Sequence, residues 1–298
     1  MRIGIGVGGR TVDDAVRQVG RAADDGFAHA WFSNIFGLDA LTACAIAGRE
    51  TSGRIEVGTA VVPAQPRHPF AMAQQAASVH EACGGRLALG IGLSHQVVIA
   101  DMLGLPWERP ASFMEEYLSV LVPLLREGAV SFSGDFFRVH AQLERAYETP
   151  PSVIVAALGP RMLSITGRLA DGTATWMTGP ETIERHVVPT ISTAAAEAGR
   201  PAPRVVMALP VCVTADAGAA REQAAKVFKV YGQLPSYRAM LDREGAAGPE
   251  DVAIIGDEDA VAARIRGFAD IGVTDFDAAL FGERDDMART REVLRSLV

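Results

Sequence analysis

Cysteine is scarce in this 298-residue chain. Cys44, Cys83 and Cys212 are odd in number and far apart, with no neighbouring ligand at metal-site spacing, which excludes a disulfide framework and a thiolate metal centre. Each lies in an apolar stretch and reads as a small buried hydrophobe in a protein of a reducing compartment. No pair among the six histidines has the H-E-x-x-H spacing, so no metal is expected. There is no basic block: 28 Lys and Arg face 36 Asp and Glu, a net charge of -8, which argues against a nucleic-acid partner. Acidic small molecules stay open, because backbone N–H groups bind phosphate locally whatever the overall charge. No apolar run reaches bilayer-spanning length, so no membrane partner is expected. The opening Arg2-Ile3-Gly4-Ile5-Gly6-Val7 lacks the apolar core and cleavage site of a signal peptide, and the expected compartment is the cytoplasm. No serine occupies a G-x-S-x-G elbow and no Gly-rich loop ends in Gly-Lys-Ser/Thr, which leaves a hydrolase triad and a P-loop without support.

What the sequence does contain is 49% hydrophobic residues in short β-branched runs alternating with helical patterns, the arrangement of parallel strands joined by crossover helices. Strands are expected at 2–7, 28–32, 55–62, 86–91, 152–157, 173–177, 204–213 and 274–280. A hairpin is expected over 130–139, turning at Ser133-Gly134-Asp135. Four such units fit either a doubly wound sheet or a barrel; about eight close a (β/α)8 TIM barrel. The reading is one domain over 1–298, with insertions near 95–150 and 232–250.

In such a barrel, chemistry sits just past the strand ends. The strongest of these segments is Ala156-Ala157-Leu158-Gly159-Pro160-Arg161: a strand ends, Gly159 lets the backbone bend, and Pro160 suits the first turn of a helix whose free N–H groups point outward. That terminus reads either as a phosphate site reinforced by Arg161 or as a plain turn with an exposed arginine. Gly90-Ile91-Gly92-Leu93-Ser94-His95 offers glycines that let a planar ligand approach the backbone, and His95 reads either as a proton-transfer group or as a loop histidine. His68, before Pro69, reads as structural, and helical or surface roles suffice for His29, His80, His140 and His186. Trp31, Trp107 and Trp176 read as core or as ligand-stacking rings, with Trp176 near a strand end.

Taken together, Gly58-Thr59-Ala60-Val61-Val62-Pro63 with Arg67-His68-Pro69, the run Gly85 to His95, Ala156 to Arg161, and Ala170-Asp171-Gly172 resemble the bacterial luciferase-like superfamily. Within it, the chain is similar to the actinobacterial reductases that use the deazaflavin coenzyme F420, over nearly its whole length. The resemblance implies a luciferase-like (β/α)8 barrel with a non-prolyl cis peptide at Ala60-Val61 against the deazaflavin ring, and the cofactor phosphate at Leu158-Gly159-Pro160-Arg161. Ser33, Asn34, Pro63, Gly92, Ser94, Ala157, Trp176, Thr178 and Gly179 complete the implied cofactor site. The best-known sugar-phosphate dehydrogenases of the superfamily carry an Asp-His pair where this chain has Asn34-Ile35, and a glutamate where it has His95. Asn34 and His95 therefore take the implied catalytic positions.

The resemblance thus implies an oxidoreductase that passes a hydride from reduced F420 to a small substrate with an activated C=C or C=N bond, with His95 or water supplying the proton. The alternatives are an FMN-dependent monooxygenase on the same fold and a non-catalytic ligand-binding barrel. A homodimer or higher homo-oligomer is implied through the apolar helices near 38–47 and 69–82, which burial inside one subunit explains equally well.

Overall fold

The computed structural model describes residues 1–144 and 148–298; residues 145–147, inside the expected 95–150 insertion, lie outside the described residues. Eight parallel strands form the barrel: β1 (Arg2–Val7), β2 (His29–Phe32), β3 (Glu56–Thr59), β4 (Leu87–Gly92), β5 (Ser152–Ala156), β6 (Gly172–Trp176), β7 (Arg204–Val213) and β8 (Asp275–Leu280). Each pairs with its successor and β8 returns to β1, so the ring closes as the count of βα units requires. A short strand, Ile254–Gly256, which the sequence pattern does not reveal, adds to the outer edge of β7.

The helices between strands begin where the sequence places caps. Thr11 and Asp39 accept hydrogen bonds from Asp14 and Thr42 backbone N–H groups, and His68 Nδ1 accepts from Phe70 N–H. The expected helix over 180–198 is interrupted by a π-type segment, Ile183–Val187, immediately before Val188-Pro189; Pro189 has no N–H to continue the regular ladder. The hairpin is Ala129–Ser133 with Arg138–Gln142, and Glu116 accepts hydrogen bonds from Asp135, Phe136 and Phe137 in its turn. The 232–250 excursion carries a full helix, Pro235–Glu244. Leu41, Cys44 and Met72 on the helices Ala40–Glu50 and Pro69–Ala82 are buried within this chain, and all three cysteines are buried thiols.

Side chains alternate across each strand, so every second residue points at the barrel axis. Near the strand starts, Arg204 pairs with Glu56 at 2.8 Å and with Asp275 at 2.9 Å, and Arg2 joins both carboxylates. Above them His29 is fully buried on β2, its Nε2 3.7 Å from Asp275 and its Nδ1 4.0 Å from Asp277. This corrects the helical or surface role expected for His29: only the missing side chain of Gly4 leaves room for its ring. Trp31, Ala88, Ile154 and Val206 form a separate apolar plug along the axis, with the Trp31 indole lying over Gly58.

β3 breaks at its end. The peptide bond between Ala60 and Val61 is cis, as the resemblance implies, and the chain rejoins the ladder at Val62 and Pro63 one residue out of step with β4. Across the break the Thr59 hydroxyl donates to the Gly90 carbonyl at 2.7 Å and accepts from the Gly90 N–H at 2.9 Å, so one side chain replaces the missing ladder bonds. A Cβ at Gly90 would overlap the Thr59 carbonyl, and one at Gly92 would meet Val61.

Two outcomes follow from these buried polar contacts. Thr59→Val removes the hydroxyl at nearly constant volume and strands both Gly90 groups, so urea denaturation should show a loss of about 2–4 kcal/mol. On the axis, burial and the neighbouring Asp275 charge raise Asp277 from 3.8 to about 7, while burial lowers His29 from 6.5 to about 4. Asp277 holds its proton in the folded chain where the unfolded chain has released it, so its stabilising contribution is present in acid and lost as pH rises through 7. His29 runs the opposite way, its contribution present above 6.5 and lost as pH falls towards 4. Measured against Asp277→Asn, wild-type stability should therefore fall as pH rises from about 4 to about 7; a difference independent of pH would contradict the protonated carboxyl.

Candidate active site

Above the plug the barrel is hollow, because the next inward-facing side chains are small. Gly6 is exposed, and Ala60, Ala156, Ala174, Ala208 and Ala279 are all half-buried, lining a well that opens at the C-terminal mouth. Bulky side chains at these levels would fill the barrel. The well thus exists because six strands present glycine or alanine there.

One wall is the β3 bulge. Ala60, Val61 and Pro63 are half-buried at the mouth. Gly92 is not open to the well: it is buried, and the space a side chain would need is taken by Val61 and Ala156. Its missing side chain makes room for the bulge. Beyond it Ser94 has a left-handed backbone, φ 61°, and turns the chain into the segment Val97–Met102, whose Val98 and Ile99 N–H groups bond the His95 carbonyl.

The opposite wall is aromatic. The His95 ring lies 5.4 Å from Tyr237, Tyr237 lies 5.4 Å from Tyr231, and Tyr231 lies 5.7 Å from Trp176, which also meets Phe228. The edge-on geometry favours contact between ring edges and faces. Burial lowers the His95 pKa, so the imidazole is neutral at pH 7, and burial pushes the Tyr237 phenol above its ordinary value. Tyr231 and Tyr237 come from the 232–250 excursion and its approach, where loop sequence shows neither helix nor pocket; only the arc of rings around Trp176 reveals them. Trp31 belongs to the plug, and Trp107 lines a cavity of about 230 Å³ with Gln65, Leu105, Pro106, Phe113 and Phe136 on the side of the insertion.

At the third side two helix starts face the mouth, and they differ. Gly159 caps the helix Pro160–Leu169 with no side chain among the described residues bonded to its first N–H groups, and a Cβ at Gly159 would meet nothing within 4 Å. Arg161 is exposed there and donates to the Ser112 hydroxyl at 2.8 Å, while His186 Nε2 lies 2.7 Å from the Leu158 carbonyl and fixes the turn. The start at Gly179 is already occupied: the Glu244 carboxylate accepts from Glu181 N–H at 3.1 Å and Thr182 N–H at 2.7 Å. Thr178 and Gly179, which the resemblance places near the phosphate, are both buried. Ala157 is buried too, its carbonyl accepting from the Thr173 hydroxyl.

After β2, Ser33 is exposed at the rim, whereas the Asn34 side-chain oxygen accepts from Ala40 N–H at 2.9 Å and pins the start of the helix Ala40–Glu50. That bond gives Asn34 a structural task that the sequence does not show. The least anticipated group is Asp277, whose carboxyl lies below the well beside Gly6. No group of three or more His, Cys, Asp or Glu side chains able to hold a metal occurs among the described residues, and no helix among them is long and apolar enough to cross a membrane.

A family model described as luciferase-like monooxygenase matches residues 2–275. The 5,10-methylenetetrahydromethanopterin reductase of Methanolobus tindarius is 26% identical over 226 residues, which are 75% of this chain and 68% of that protein. Among solved structures, the coenzyme F420-dependent tetrahydromethanopterin reductase from Methanopyrus kandleri superposes with a TM-score of 0.83 at 22% identity, covering 100% of this chain and 98% of that one. The oxygenating constituent of 3,6-diketocamphane monooxygenase from Pseudomonas putida, in complex with FMN, gives 0.76 at 15% identity, covering 99% and 96%. At such identities the two structures share the fold. A match over almost the whole ring means that this chain belongs to the luciferase-like monooxygenase family.

Proposed function

We propose that the chain is an oxidoreductase that binds coenzyme F420 at the barrel mouth and reduces a small organic substrate carrying an activated C=C or C=N bond. The observation that carries this reading is the coincidence of a small-residue well with an uncapped helix start beside it: one accepts a flat ring, the other an anionic group. The similarity to a 5,10-methylenetetrahydromethanopterin reductase supports the same chemistry.

On this reading the Ala60-Val61 bulge and Pro63 hold one face of the ring, Trp176 and Ser33 border it, and the Arg161 and Met162 N–H groups with the Arg161 guanidinium take the phosphate. The bound, reduced cofactor supplies the hydride. What the protein adds is orientation and a dry, shaped cavity. His95 and Ser94 stand at the rim where a substrate enters; a neutral His95 imidazole donates a hydrogen bond to a polar substrate atom and so orients it. Asn34 acts from one step further out, by holding the loop that carries Ser33. The acting species is a small molecule; the net charge of -8 gives nucleic acid no long-range attraction.

A second reading, an FMN-dependent monooxygenase, is favoured by the family's description and by the FMN-bound camphane monooxygenase among the related folds. Equilibrium titration of the apoprotein separates them: F420 should bind and FMN should not. Arg161→Ala should weaken F420 about tenfold or more, the worth of one charge-assisted contact. His95→Ala should slow turnover roughly tenfold with cofactor affinity retained. Tight FMN binding without F420 binding would reverse the assignment, and no turnover with either reduced cofactor would leave a ligand-binding barrel.

A further inference from the structure

We infer that Asp277 is the acid that protonates the substrate, acting from the floor of the well; this rests on the reductase reading above. Asp277 sits on the inward face of β8 with 7% of its side chain exposed. Its Oδ1 is buried with no hydrogen-bond partner among the described residues. A Cβ built on Gly6 would lie 3.8 Å from its Oδ2, and Gly6 is itself open to the well. The missing side chain on β1 is what lets a ligand in the well reach this carboxyl.

A buried carboxyl that served packing alone would find a partner for its polar atoms or be replaced by an apolar side chain, since an unsatisfied polar group costs stability. Here one oxygen, Oδ1, is orphaned on the His29 side and the other, Oδ2, lies towards Gly6 and the well, the pattern of a group reserved for a ligand. The titratable groups that face it come from its own strand and from β2. Asp275 lies two residues before it, held by Arg204 of β7 and Arg2 of β1, which also bind Glu56 of β3. His29 of β2 stands between the two carboxyls, at 3.7 Å from Asp275 and 4.0 Å from Asp277. The arginines neutralise Asp275 but do not reach Asp277, so the lower carboxyl stays ionised while the upper one keeps its proton to about pH 7. His29, lowered to about 4, is neutral between them and is a positioning residue. His95, neutral and at the rim, has no comparably acidic proton to give.

The step balances. One atom of the substrate double bond receives the hydride from the reduced cofactor, while the π pair moves to the other atom and takes the proton as the Asp277 O–H bond breaks. The carboxylate left behind is reprotonated from water once product leaves the mouth.

Two measurements test this. Infrared titration of the cofactor-free protein should show a protonated-carboxyl C=O band that disappears near pH 7 and is missing from Asp277→Asn. Single-turnover oxidation of reduced F420 with 2-cyclohexenone as the probe should be slowed roughly a hundredfold or more in Asp277→Asn, with its pH dependence flattened, F420 affinity unchanged, and partial recovery in Asp277→Glu. Gly6→Ala, which puts a methyl against Oδ2, should slow the same step while the infrared transition remains, and it serves if Asp277→Asn does not fold. Wild-type rates and pH profile in Asp277→Asn, or a band lost in the ordinary carboxylate range, would overturn the inference. Should wild type fail to oxidise reduced F420 with this acceptor, the reductase reading falls, and the infrared titration decides alone whether an acid stands at the floor of the well.

Discussion

Closure of the ring is the constraint from which the rest of the molecule follows. Once β8 pairs with β1, every inward side chain of eight strands competes for one axis, and volume there must be shared out. This chain spends that volume low in the barrel, on the ion pairs of Arg204, Glu56 and Asp275, on His29, and on the Trp31 plug. It leaves the upper level to glycine and alanine. The pocket is thus a property of side-chain size distribution along the strands, and needs no special loop to create it.

The same allocation explains the chemistry of the walls. At the β3–β4 seam a hydroxyl stands in for ladder bonds, and Gly90 and Gly92 yield the space into which the Ala60-Val61 bulge turns. On the far side Tyr231 and Tyr237 reach in from the 232–250 excursion and its approach and connect His95 to Trp176, so that residues from the loop after β4, from β6 and from an insertion form one aromatic face. Between them the two helix starts are differentiated by Glu244. It satisfies the amides after Gly179, whereas those after Gly159 have no side-chain partner among the described residues.

Much of this was legible in the sequence, and the illegible part has a common cause. Strand and helix alternation is carried by near-neighbour periodicity, so the eight βα units and the turn at Gly159-Pro160 could be read directly. Residues with a local task were also readable, His68 at a helix start among them. What periodicity cannot show is which face of a strand meets the axis once the sheet curls. His29 therefore read as peripheral although it is fully buried, and Asp277 went unremarked within an ordinary strand pattern. The surroundings of Gly92 and Gly179 were unreadable for a related reason: Val61 and Glu244, which a side chain there would meet, lie far away along the chain.

On the proposed reading a flat redox ring and its phosphate occupy the well and the Gly159 corner together. A crystal structure of the chain with oxidised F420 tests it most directly. The ring should lie in the well against Ala60-Val61, with the phosphate on the Arg161 and Met162 amides. A ring held in the Trp107 cavity, or a phosphate that displaces Glu244 at Gly179, would contradict it.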